Sequence, residues 1–389
     1  MIEDRGVDFY QLDDLLTPEE REVRQRVRQF VTERVLPTIN DYWERADSPL
    51  ELLPELGRLG VLGGTIRGYG CPGLSTVATG LVALELSRGD GSVNTLFGVQ
   101  SGLAMAAIYQ CGSEEQRQRW LPPMARGEKL GAFALTEPWV GSDAAHLQTR
   151  ARRQGDHYIL RGAKRWIGNA SVADVTVVWA RDEDEQIGGF LVERGTPGFQ
   201  TAVITGKGAM RAVWQAEITL DDCRTPIENR LVNARSFRDI AQILVPGRLG
   251  VAWGALGHAV ACYESALAYA RTREQFGRPI AAFQLVQDKL VRMLAEITAM
   301  QLLCWRASRL CDEGRLTPAM ASLAKMNNAA KARKIAADAR DLLGGNGILL
   351  EHDVIRHQTD LEAVFTYEGT DHTNALLVGR EITGFSAFA

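Results

Sequence analysis

No CxxC pair occurs in this chain, and no histidine stands near a cysteine at metal-ligand spacing. The six cysteines, Cys71, Cys111, Cys223, Cys262, Cys304 and Cys311, are scattered over 389 residues. A disulfide framework or a zinc site is therefore disfavoured, no metal is expected, and a reducing cytoplasm is the expected setting. An excess of one charge is also missing. With 44 Lys and Arg against 48 Asp and Glu, the net charge is −4, which disfavours nucleic acid or an anionic membrane as the main partner. The opening Met1-Ile-Glu-Asp-Arg-Gly lacks the basic and apolar regions of a secretory signal. The most apolar stretch, Leu249 to Ala270, is interrupted by His258 and Glu264 and is rich in small residues, so it reads as a packed helix and no membrane span is expected. Internal repeats and low-complexity segments are lacking as well. What is present, 46% hydrophobic and 24% charged residues, is the composition of an ordinary globular protein, and the length suits two or three domains.

The first third reads as helical. Thr17-Pro18-Glu19-Glu20 combines an N-cap hydroxyl, a proline at the first helical position and an acid three residues after the cap. Val23, Val27, Phe30 and Val31 then share a helical face, and Pro37 should end the run. Ser113 with Gln116 offers a second capping box on a helix expected to stop near Pro122-Pro123, and Ser75 to Leu86 is apolar enough for a central helix. Between about Gly131 and Asp222 the period changes. Segments His157–Arg161, Asp174–Trp179, Gly189–Glu193 and Glu217–Leu220 are short, rich in β-branched and aromatic residues, and separated by turn residues, which predicts a small antiparallel β domain. After Pro246 helices return: one to about Arg271, one over Gln284 to Asp312, one from the Thr317-Pro318 cap to Leu343, and a shorter one from near Thr370.

Single motifs carry modest information. Leu343-Gly-Gly-Asn-Gly347 suits either a phosphate-approaching turn or a plain helix C-cap, and Glu368 in Tyr367-Glu-Gly-Thr370 suits either a reactive carboxylate or a solvated cap residue. The ordered set is far more specific. Phe133-Ala-Leu-Thr-Glu-Pro138, Gly141-Ser-Asp143, Lys164-Arg-Trp-Ile-Gly-Asn169, Arg273-Glu-Gln-Phe-Gly277, the glycine turn and Tyr367-Glu-Gly-Thr370 follow one another across a helix, sheet, helix chain. This pattern closely resembles the acyl-CoA dehydrogenase family over nearly the whole sequence. Gly68-Tyr-Gly-Cys-Pro-Gly-Leu74, Arg340-Asp-Leu-Leu-Gly-Gly-Asn-Gly-Ile348 and Gly379-Arg-Glu-Ile-Thr-Gly384 look most like the branch that holds glutaryl-CoA dehydrogenase and plant-type short-chain acyl-CoA oxidase.

The resemblance implies a mainly α fold with a central β domain: an N-terminal helical domain (1–130), an antiparallel β domain (131–240) and a C-terminal four-helix bundle (241–389), assembled as a homotetramer with FAD between subunits. Carried over, Phe133, Leu135, Thr136 and Ser142 line the flavin on the β-domain side, with Trp166 and Asn169 on the next strand, and Ser142 also approaches CoA. Arg273, Gln275, Phe276, Gly344 and Gly345 reach a neighbouring subunit's flavin, and Thr370 and His372 contact FAD near the last helix. From the residues alone, core packing is the lesser alternative for Trp166 and Phe276, and a solvated interface residue is the alternative for Arg273. Glu368 matches the base that takes the α-proton of an acyl thioester, with Arg248 beside it and Tyr367 and Gly369 flanking. The implied activity is FAD-dependent α,β-dehydrogenation of a short-chain acyl-CoA, with electrons passed to an electron-transferring flavoprotein. Alternatives are an oxidase that returns electrons to oxygen, a dehydrogenase of a carrier-protein thioester and, from another class, a flavin-free scaffold.

Two departures bear on specificity. Where glutaryl-CoA dehydrogenases carry an arginine for the distal substrate carboxylate, this chain has Asn94, and Ser87 replaces an accompanying glutamate. A buried carboxylate without a cation is costly, so glutaryl specificity is disfavoured. Leu96, Phe97 and Gly98 suggest instead a short apolar pocket, with core packing an equal alternative for the first two. Gly168 stands where most of the family places a threonine or serine, and its missing side chain either alters oxygen access or leaves room for a water. Trp139-Val140 and Thr373 are further departures without a physical account at this level.

Overall fold

The computed structural model describes residues 6–388. The stretch read above for a secretory signal lies, apart from Gly6, outside them. The N-terminal helices are α1 (Pro18–Phe30), α2 (Ile39–Arg45), α3 (Leu52–Arg58), α4 (Thr76–Gly89), α5 (Gly91–Phe97), α6 (Ala106–Cys111) and α7 (Glu114–Ala125), with a two-residue ladder β1 (Arg67–Gly68) and β2 (Cys71–Pro72) before α4. Both capping boxes form: Glu20 N–H donates to Thr17 Oγ1 at 3.2 Å and Gln116 N–H to Ser113 Oγ at 3.2 Å. The Thr17 cap does more than end a helix. The buried Glu20 carboxylate also accepts from Ser75 Oγ at 2.8 Å and from Arg309 at 3.0 Å, joining α1 to α4 and to the C-terminal bundle. Helix α7 runs through Pro122 and Pro123 to Ala125, past its expected end.

The middle domain holds β3 (Gly131–Ala134), β4 (Arg150–Gln154), β5 (His157–Gly168), β6 (Val175–Arg181), β7 (Ile187–Glu193), β8 (Phe199–Val203) and β9 (Gln215–Pro226). The sheet order is β3-β6-β4-β5-β9-β8 with β7 on β6. Most pairings are antiparallel, but β3 and β4 both pair parallel with β6, so the sheet is mixed rather than purely antiparallel. The β5–β9 ladder slips between Lys164 and Ile167, and Trp166 there has φ 63°. Such a bulge re-aims a side chain: Lys164 points into the core, Trp166 outward.

The C-terminal domain contains α8 (Phe237–Thr272), the hairpin β10 (Glu274–Gln275) and β11 (Arg278–Pro279), then α9 (Gln284–Asp312), α10 (Pro318–Leu342), α11 (Val354–Thr366) and α12 (Asp371–Thr383). Helix α8 begins nine residues before Pro246, at a Ser236–Asp239 capping box, because Ile240 and Ile243 bury against the β domain and outweigh the interior proline. Helix α11 adds a fifth helix to the expected four. By length and hydropathy α8 is the one helix among the described residues able to cross a membrane, yet half of that window is buried in the bundle core.

The three domains meet at a buried polar knot. Arg356 on α11 is fully buried and donates to Asp90 Oδ2 at 2.6 Å, Gly89 O at 2.9 Å, Asp353 at 2.8 Å and Asn40 at 2.9 Å. Asp90 in turn caps α5 through Ser92 N–H at 2.7 Å. Beside the knot, the Asp360 carboxylate accepts the Met210 N–H at 2.5 Å, fastening the β8–β9 connection to α11. Removing one partner of a buried charge pair costs about 3–5 kcal/mol. Arg356→Met should therefore lower the thermal midpoint sharply, and adding Asp90→Asn should restore part of the loss. A scanning calorimetry trace of Arg356→Met that overlays the parent would contradict this account.

Candidate active site

Glu368 sits in the turn between α11 and α12, in the left-handed region with φ 55°. A non-glycine residue there is strained by about 1–3 kcal/mol and persists only when its surroundings hold it. Two buried side chains do so. Lys325 Nζ, from α10, donates to Phe365 O at 2.9 Å and Gly369 O at 2.8 Å, and Asn374 Nδ2 donates to Gly369 O at 2.9 Å and Thr370 O at 3.1 Å. Gly369 must be small, since a Cβ would lie 3.1 Å from Asn374 Nδ2 at φ 86°.

The Glu368 carboxyl rests over Gly247 of α8, where an added Cβ would lie 3.3–3.4 Å from its atoms, and its Oε2 is buried without a hydrogen-bond partner. Burial pushes the carboxyl up to about 7, while Arg248 and Lys325 pull it back down. Arg248 Nε points at the Glu368 backbone carbonyl, 3.4 Å away, so its influence on the carboxylate is through space. Burial likewise lowers Lys325 to about 8, against the attraction of Glu368 and Asp371.

The facing wall is the helical segment through α5 and the π-turn Gly98–Met105. Asn94, Thr95, Gly98, Val99 and Gly102 are half-buried along one face. Leu96 and Phe97 point the other way, into the N-terminal core with Phe30, Leu86 and Leu130, so core packing is their role and the expected pocket lining by these two is corrected. Thr95 Oγ1 lies 3.9 Å from Met210 Sδ, which joins this helix to the β8–β9 connection. Asn94 lies opposite Gly254 of α8, where a Cβ would sit 2.8 Å from its Nδ2 and 3.0 Å from Ser87 Oγ. Gly254 is seven residues beyond Gly247, about 10 Å along the helix. Along this face of α8 a carboxyl thus stands at one end and an amide and a hydroxyl at the other.

On the β-domain side, Phe133 and Leu135 are 7% and 8% exposed and pack in a core with Trp179, while Thr136 is half-buried. Leu135 O is taken by buried Lys164 Nζ at 3.0 Å, itself paired with Glu137 at 2.9 Å. Glu137 also accepts from Gln148 N–H and Thr149 Oγ1, both at 2.6 Å, which fixes the turn carrying exposed Trp139 and Ser142. Trp166 is 53% exposed and Asn169, with φ 66°, buries its Nδ2 without a partner. Neither Trp166 nor Phe276, which is 93% exposed on the β10–β11 hairpin with Arg273 and Gln275 beside it, is a core aromatic. Gly344 and Gly345 face open space, whereas a Cβ on Gly347 would lie 2.4 Å from Arg340 O; the glycine turn joins an open rim to a packed cap. Thr370 Oγ1 is spent capping α12, accepting from Thr373 N–H at 3.2 Å and bonding Thr373 Oγ1 at 3.0 Å, which accounts for the unusual threonine at 373. His372 is exposed.

The family models for the N-terminal, middle and C-terminal domains of acyl-CoA dehydrogenase match residues 17–128, 132–223 and 237–383. The chain belongs to the acyl-CoA dehydrogenase family. It is similar to a crystal structure of glutaryl-CoA dehydrogenase from Mycobacterium smegmatis, with TM-score 0.97 and 47% identity over 99% of this chain and 100% of that one. A glutaryl-CoA dehydrogenase of the same organism in complex with FADH2 matches at TM-score 0.97 and 42% identity, covering 98% and 99%. The short-chain specific acyl-CoA dehydrogenase of Clostridium acetobutylicum is 32% identical over 95% of this chain and 100% of its own length. The chain is accordingly an acyl-CoA dehydrogenase with FAD as cofactor. The residues present fit that group: the orphaned Asn169 amide, the outward Trp166 and the open rim at Gly344 and Gly345 offer a donor, a ring and backbone approach.

Sequence reasoning missed Lys325, Asn374, Thr95 and Val99. Lys325 had a legible signal, because Ser322, Lys325 and Asn328 put polar groups on the same face as Ala321, Ala324 and Ala329, and all six are buried. The Glu368 carboxyl, raised to about 7 by burial, becomes able to accept a proton as pH rises through that value. The kcat/KM for thioester dehydrogenation should climb through about pH 7, and Lys325→Gln, which keeps a donor but loses the charge, should move that midpoint upward. A midpoint that stays put or falls would show that Lys325 does not stabilise the Glu368 carboxylate.

Proposed function

We propose that this enzyme removes the α- and β-hydrogens of a short-chain acyl-CoA thioester to give the trans-2-enoyl-CoA, with Glu368 as the α-proton base. The observation that supports it is the unpartnered, buried Glu368 Oε2 held over Gly247 within reach of two cations. A carboxylate kept from water but not from positive charge is a competent acceptor for a weakly acidic α-proton. The backbone N–H of Glu368 polarises the thioester carbonyl, so that the residue that takes the proton also stabilises the developing enolate charge. FAD, when bound, supplies the acceptor for the hydride leaving the β-carbon. Phe133, Leu135 and Thr136 hold it through backbone and hydroxyl groups, Asn169 through its free amide and Trp166 through its ring, with Ser142 nearer the phosphates and CoA. The exposed hairpin of Arg273, Gln275 and Phe276, the Gly344–Gly345 rim, and Thr370 and His372 complete the site across a homotetramer. The exposed apolar Leu285, Val291 and Ile382 on the same domain support burial against other subunits.

The acyl end meets the Asn94 amide and the Ser87 hydroxyl. Neither carries the positive charge that a distal carboxylate requires, so the substrate is a monocarboxylic short-chain thioester, and electrons leave to an electron-transferring flavoprotein. Glu368→Gln should retain FAD and lose flavin bleaching by butyryl-CoA at least a hundredfold; undiminished bleaching would remove Glu368 from the mechanism. A substrate panel should rank butyryl-, isobutyryl- or hexanoyl-CoA above glutaryl-CoA, and the reverse order would overturn the reading of Asn94.

A further inference from the structure

Gly168 ends β5 between outward Trp166 and orphaned Asn169, beside the site described above. Its backbone is not in the left-handed region, so nothing in the chain path forbids a side chain there. What forbids one is Val99. A Cβ built on Gly168 would lie 2.9 Å from Val99 Cγ2, closer than carbon atoms pack. Val99 sits on the π-turn Gly98–Met105, flanked by Gly98 and Gly102, whose own Cβ positions are open. A β-branched residue in a helix keeps one strongly preferred χ1, so the Val99 methyl cannot swing aside to make room. The helix just after it is clamped: Gln100 bonds Met124 O, Lys129 O and Gly131 N–H, and Ser101 Oγ accepts from Gly63 N–H at 3.1 Å. The space left by the missing side chain is therefore filled by a neighbouring methyl rather than by water.

We propose that Val99 and Gly168 form a matched pair in which the valine methyl closes the path of oxygen to the reduced flavin, making Val99 a determinant of electron-acceptor specificity. The inference rests on the flavoenzyme reading above, and it explains how a glycine at 168 is compatible with a dehydrogenase. Reaction with oxygen would pass two electrons and two protons from reduced FAD to O2, giving oxidised FAD and hydrogen peroxide. A closed wall slows that transfer without touching Glu368.

The test uses the FAD-loaded enzyme reduced by stoichiometric dithionite under anaerobic conditions, then mixed with aerated buffer in a stopped-flow instrument. Dithionite makes the readout independent of any thioester, so a failure of butyryl-CoA to bleach the flavin would count against the proposed function alone. Val99→Ala should reoxidise at least tenfold faster than the parent, with matching peroxide release. Val99→Thr, which keeps the shape, should stay within twofold. Gly168→Ser should lose FAD or reduce poorly on its own and recover when combined with Val99→Ala. Equal reoxidation rates for the parent and Val99→Ala would overturn the proposal, as would a Gly168→Ser enzyme that needs no compensating change.

Discussion

The ammonium of Lys325 clasps both ends of the turn that carries Glu368, and the rest of the site is arranged around that clasp. A left-handed glutamate relaxes unless the carbonyls on either side are held, and Phe365 O and Gly369 O are held by the same buried nitrogen. The cost is a lysine taken out of water. Part of it is offset because the charge it brings favours the ionised form of the carboxylate it positions. One side chain of α10 thus contributes both to the geometry of the turn, together with Asn374, and to the electrostatics of the carboxyl, together with Arg248.

A second constraint acts from the β domain. Lys164 and Glu137 form a buried pair whose remaining hydrogen-bonding capacity is used on Leu135 O, Gln148 N–H and Thr149, so the segment Leu135–Glu137 is tied to the sheet interior. The bulge one residue later turns Trp166 out of the same strand. Rigid support below and an outward ring above are consequences of a single register slip. The Asp360 bond to Met210 ties the β domain to the bundle, and Met210 in turn touches Thr95 of α5.

Much of this was legible from local chemistry. The Thr17 and Ser113 caps, the span Gln284–Asp312 and the Thr317-Pro318 start all depend on neighbours a few residues away, and the structure forms them. Helix α11 was not legible because its inward face carries Arg356, His357 and Asp360, and buried polar residues erase the hydrophobic period that marks a helix. Pro246 misled for the opposite reason: its local penalty is real, but long-range burial of Ile240 and Ile243 exceeds it. Parallel pairing of β3 and β4 with β6 is a tertiary fact with no local signature.

The site shows the same division. Glu368 and the segments proposed to hold flavin were singled out through ordered motifs, whereas Leu96 and Phe97, expected to line a pocket, pack in the N-terminal core. Large apolar side chains are the obvious candidates for an apolar pocket, yet a pocket needs space, and space in a helical wall comes from small or short residues. Asn94, Thr95, Gly98, Val99 and Gly102 share one face because helical residues three to four apart do so, and that face leaves room at Gly98 and Gly102. The bulky pair next to them is what anchors the helix in the core and so keeps the gap from collapsing. A helix that lines a cavity must be read twice, once for the residues that fasten it and once for those that leave room.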